Sequence, residues 1–159
     1  MNNFIPMNIV TLLSTLLLIA CSNNASSEKS ENSTPAPKVE KAVTISEAEF
    51  KKLVMNYDEN PDEWKYLGEL PSIVNFTAAW CAPCRRMAPI FDELAKEYAG
   101  RINIYKVDVD RSRNLAGFFG IQNIPTTLFC RKTGLPAKQI GGMSKQQLVD
   151  AIENFLLKE

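Results

Sequence analysis

Trp80-Cys81-Ala82-Pro83-Cys84, set between Ile73 and Pro89, is the stretch whose reading decides the fold. Ahead of it, Ile73-Val74-Asn75-Phe76 is a short apolar run with one polar residue, closed off by Pro71, which is the pattern of a strand. Behind it, Arg85 to Tyr98 carries apolar side chains at helical spacing. A strand, two cysteines and then a helix put the first cysteine at a helix N-terminus. Unpaired backbone N–H groups gather there and favour negative charge, so they stabilise a thiolate. Pro83 suits the first turn, where its missing N–H costs nothing.

The two-residue spacing allows a small disulfide and leaves its sulfurs unequal. Cys81, at the helix tip, is expected to be an exposed nucleophile with a pKa lowered towards about 7, and Cys84, one turn in, a shielded sulfur that resolves a mixed disulfide. Two blander readings stay open on these residues: half of a four-ligand zinc knuckle, or a structural bridge. Zinc needs two more ligands; the chain has no His, and its other cysteines, Cys21 and Cys130, lie far apart. Neither a metal nor a cofactor is expected.

With Arg85 and Ala88-Pro89 following it, Trp-Cys-x-Pro-Cys resembles the active-site helix of the thioredoxin family, which its second proline kinks. Gly120-Ile121-Gln122-Asn123-Ile124-Pro125-Thr126 is similar to the family's cis-proline loop, which faces the cysteines. The resemblance implies a thioredoxin fold: an α/β domain with a central mixed sheet flanked by helices, in the order β-α-β-α-β-α-β-β-α. It implies a Cys81–Cys84 redox disulfide, with Trp80, Ala82, Pro83, Ile124, Pro125 and Gly141 as substrate-binding and supporting residues. Pro125 would keep its loop free of a backbone donor, and the main chain of Ile124 would pair with an extended substrate segment. Trp80 would shield the site.

Three positions, Ala82, Asn75 and Cys130, depart from the family pattern. Ala82 replaces a glycine between the cysteines, where the dipeptide tunes redox potential. Asn75 stands where the family has a buried aspartate that takes the resolving thiol's proton; an amide cannot do so. Lys106, which matches a family lysine near that aspartate, is thereby expected to lose its charged partner.

Away from these motifs the chain divides into three. Residues 1–21 read as a lipoprotein signal peptide: Ile9 to Ala20 is almost wholly apolar, and Leu18-Ile19-Ala20-Cys21 resembles a bacterial lipobox with Cys21 as the lipidated residue. The n-region lacks Lys and Arg, a departure from the usual pattern. Residues 22–41 are rich in Ser, Asn, Glu, Lys and Pro and read as a flexible tether. Residues 42–159 suffice for one compact domain.

Within that domain, Ala42 to Ile45 reads as a strand, and Ser46 with Glu49 as a capping box for a helix with Phe50, Leu53, Val54 and Tyr57 on its apolar face. Asp58 to Pro71 is a loop in which Trp64, Tyr66 and Leu67 anchor onto the core. Ile102 to Val107 alternates as a strand, and Leu115 to Phe119 forms a short helix stopped by Gly120. Thr133-Gly134 is a turn before a strand that ends at Ile140. Gly141-Gly142 lets the chain pass close to the active-site surface. Ser144 caps a last helix with Leu148, Ile152, Phe155 and Leu156 on one face. Cys130 reads as a small buried hydrophobe.

Lys and Arg number 18, as do Asp and Glu, and no basic run stands out, which argues against nucleic acid as a partner. The expected function is a thiol–disulfide oxidoreductase, a protein-disulfide reductase of the bacterial periplasm or cell envelope. It would be monomeric and lipid-anchored through Cys21, with disulfide-containing envelope proteins as substrates and a membrane electron donor. The alternatives are a disulfide oxidase or isomerase in the same compartment, and a binding module without redox turnover.

Overall fold

A computed structural model of the chain describes residues 41–158. The expected leader, Cys21 and the tether up to residue 40 lie outside the described residues. The elements are β1 (Val43–Thr44), α1 (Glu47–Leu53), β2 (Ser72–Thr77), α2 (Ala82–Glu97), β3 (Asn103–Asp108), α3 (Arg113–Phe118), β4 (Thr126–Cys130), β5 (Ala137–Ile140) and α4 (Lys145–Ala151), the last running on into a π turn, Ile152–Leu156. The sheet order is β1-β3-β2-β4-β5. The β1–β3 and β2–β3 pairs are parallel, and the β2–β4 and β4–β5 pairs antiparallel. This is the mixed sheet and the element order that the resemblance implied.

Alternation along β2 divides the core. Ile73 faces Phe91 and Leu94 of α2, with Leu148 and Ile152, whereas Val74 and Phe76 face Phe50, Val54 and Leu115 on the other side. Asn75 has the parity of Ile73 and so lies on the α2 side, with Lys106 of β3 and Thr127 of β4 as its register neighbours. A row of three polar residues thus crosses the sheet on that side.

The expected capping box of Ser46 with Glu49 forms, and Ser144, expected as a cap, closes a second box with Gln147. One helix assignment needs correcting. Leu53 is exposed, because α1 ends there and Val54 and Tyr57, beyond the last turn, fold back into the core. In the loop before β2, Trp64 and Tyr66 pack against the core and the Tyr66 hydroxyl donates to Leu70 O at 2.5 Å, but Leu67 points outward. Pro89 sits inside α2 and cannot donate to the Arg85 carbonyl one turn back.

Candidate active site

Cys81 is the N-cap of α2, with extended backbone angles, and Pro83 occupies its first turn. The two sulfurs are bonded at 2.06 Å, with Cα atoms 5.3 Å apart. The Cys84 N–H donates to Cys81 Sγ at 3.3 Å, the bond an N-cap oxygen would otherwise accept. Once the disulfide is opened, the same N–H faces a thiolate, where a charge-assisted bond is stronger. Cys81 is therefore the sulfur that the helix terminus favours as an anion.

The expected difference in exposure is absent from this oxidised state. Cys81 is 4% exposed and Cys84 3%, because both pack against Ala78, with Val109 and Ile124 beside them. Asymmetry here comes from hydrogen bonding, not from depth.

The loop before β4 lies against the disulfide. The Ile124–Pro125 bond is cis, and Ile124 O is 3.8 Å from Cys81 Sγ. Ile124 is half-buried and lies outside β4, whose pairing starts at Thr126. The Thr126 hydroxyl holds the loop by donating to Asn123 O at 2.6 Å. Gly141, at φ 96°, donates its N–H to Pro125 O at 2.8 Å. Its left-handed backbone favours a residue without Cβ and brings the chain after β5 to the proline loop. Ala82 is exposed and Pro83 half-buried at the rim.

Trp80 is 67% exposed, and its Nε1 donates to Asp110 Oδ2 at 2.9 Å. Arg85 Nη1 donates to Ala79 O at 2.9 Å, which ties the first turn of α2 to the segment before the cysteines. Sequence reasoning missed Asp110, and only its place just past a strand end could have suggested it.

Asn75 is 2% exposed and donates through Nδ2 to Thr127 Oγ1 at 3.1 Å. Lys106 does have a charged partner, contrary to expectation. Its Nζ is 3.4 Å from Asp92 Oδ1, an oxygen that also accepts from Ala42 N at 3.1 Å. Asp92 on α2 takes up the lysine that a β2 aspartate would otherwise have met. Cys130 is free and fully buried, and burial pushes its thiol up to about 12. A cleft of about 480 Å³ lined by Pro71, Arg131, Lys132, Thr133 and Leu156 to Lys158 lies at the other end of the β2–β4 pair from the disulfide.

This arrangement can do two-electron sulfur chemistry, and the chain is similar to known proteins. The thioredoxin family model matches residues 41–154. A thioredoxin of Borreliella burgdorferi is 35% identical over 114 residues, covering 72% of this chain and 97% of that protein. A chloroplastic M-type thioredoxin of Pisum sativum is 44% identical over 99 residues, covering 62% of this chain but spanning only 58% of that protein. The crystal structure of chloroplastic thioredoxin z shares the fold, with a TM-score of 0.58 at 24% identity, covering 72% of this chain and 93% of that one.

Proposed function

Since the chain belongs to the thioredoxin family and is a thiol–disulfide oxidoreductase, we propose that it works as a protein-disulfide reductase of a bacterial cell envelope. Thioredoxins act on disulfide-containing proteins, and the observation that carries this reading is the Cys84 N–H aimed at Cys81 Sγ. The Cys81 thiolate attacks one sulfur of a substrate disulfide. A mixed disulfide forms, and the other substrate sulfur leaves and takes up a proton. Cys84 then gives its proton to water, since the Asn75 amide cannot accept it, and attacks Cys81 Sγ. The second substrate thiol departs, and two electrons have passed from the Cys81–Cys84 dithiol to the substrate. Ile124 offers its main chain to the substrate as an added strand, with Gly141 and Trp80 flanking it.

Location is part of the proposal. Cys21 ends an apolar leader in a lipobox-like context and would carry the lipid anchor, with residues 22–41 as tether and the domain acting as a monomer. An electron donor in the membrane would restore the dithiol.

Cys81→Ser should abolish insulin reduction, and Cys84→Ser should trap mixed disulfides. Turnover that survived Cys81→Ser would refute the assignment. A reduction potential near −270 mV is expected; one near −120 mV would reverse the direction of electron flow. Cys21→Ala should release the protein from membranes, and unchanged membrane recovery would remove the anchor.

A further inference from the structure

Besides its bond to the proline loop, the segment after β5 has a second attachment, through a methionine sulfur. Met143 N–H donates to Met87 Sδ at 3.4 Å. Met87 is 3% exposed and lies one turn beyond Cys84 on the buried face of α2. A Cβ placed on Gly142 would lie 3.9 Å from the same sulfur, so the chain runs directly over the thioether. Residues 141–143 are therefore pinned twice, to Pro125 through Gly141 N–H and to α2 through Met143 N–H.

We propose that Met87 is a positioning residue for protein substrates: its thioether sets the height of the 141–143 segment beside the Ile124 strand-docking edge. The inference rests on the substrate-docking role given to that edge above. A thioether is a weak acceptor, but it is long and polarisable enough to fill the space under a glycine pair while also receiving an N–H. Leucine or isoleucine would fill the space and leave the N–H of Met143 without this acceptor. Met87 packs in the core beneath α2 and the cysteines in a separate cluster with Ala78, so the intrinsic reactivity of the disulfide does not depend on the thioether.

The test compares wild type with Met87→Leu, a change of nearly equal volume. Three readouts are taken: amide hydrogen exchange at Met143, reduction of insulin, and reduction of a small aromatic disulfide that needs no docking strand. In wild type the Met143 amide should be protected, and in the variant that protection should fall. The KM for insulin should rise about two- to fivefold, the range of one weak hydrogen bond. The rate with the small disulfide and the redox potential should not change. An unprotected Met143 amide in wild type would overturn the proposal, as would an unchanged insulin KM or equal slowing with both substrates. If wild type reduced no insulin at all, the reductase reading would fail, and the amide exchange would still report on the Met87 contact.

Discussion

Replacing Asn75 by aspartate would put a carboxyl group in the middle of the polar row beneath α2. The site is 2% exposed, and its side chain bonds to Thr127 Oγ1 at 3.1 Å. Burial alone can raise a carboxyl pKa by about 3 to 5. Two neighbours oppose this. The Thr127 hydroxyl can turn to donate, and Lys106 sits in the adjacent register, although Asp92 already holds its ammonium at 3.4 Å. A net rise of about 2 above the ordinary 3.9 is expected, which corresponds to about 2.7 kcal/mol.

The sign follows from linkage. A folded-state pKa raised above the unfolded value leaves stability intact below about pH 4 and removes it as pH climbs through the folded value, near pH 6. Urea midpoints of the oxidised variant, measured from about pH 3.5 to 8 against wild type, should therefore diverge between about pH 4 and 6 and run parallel above. Insulin reduction should gain as pH rises through about 6, where the carboxylate forms, since a carboxylate can accept the Cys84 proton where an amide cannot. A stability difference independent of pH would refute the burial argument. Divergence of the opposite sign would show that Lys106 outweighs desolvation. Identical reduction profiles would remove Asn75 from any part in proton transfer.

Cys130 should resist alkylation in the native reduced domain while Cys81 reacts; rapid native labelling of Cys130 would contradict its burial. Asp110→Ala should free the Trp80 indole, changing its fluorescence and weakening insulin reduction by about two- to fivefold, whereas Asp110→Asn, which keeps an acceptor, should lie close to wild type; equal effects would show that the 2.9 Å bond does not matter. The Tyr57 hydroxyl, donating at 2.6 Å, holds the Glu47 carboxyl below its ordinary range. The stability this adds is present above the ordinary Glu value of about 4.3 and is lost as pH falls through the lower folded value. Tyr57→Phe should flatten that acid limb in thermal unfolding, and an unaltered limb would show that the bond contributes nothing.

The parts legible in the sequence are those governed by neighbours along the chain. Ser46 and Ser144 announce their helices because a capping box closes within four residues, and the cysteine pair announces a helix tip for the same reason. Cys130 was legible from its strand. What escaped depends on contacts between distant segments. Asp92 meets Lys106 and Ala42, Trp80 meets Asp110, and Met87 meets Met143; no local pattern encodes these pairings. Leu53 misled because helical periodicity does not reveal where a short helix ends. Depth misled for Cys81, because a residue at a helix tip can still be covered by Ala78 and the proline loop.

The cleft between Pro71 and Leu157 and the reacting sulfurs are at opposite ends of β2, whose six residues span about 17 Å at about 3.3 Å for each step. A drug-like compound wedged into that hollow would leave the chemistry free to run, and should behave as a silent passenger in an insulin assay. Inhibition of this protein has to come from elsewhere: from an electrophile that captures Cys81, or from a peptide that competes for the Ile124 edge. Competitive kinetics from a compound mapped to the hollow would contradict that expectation.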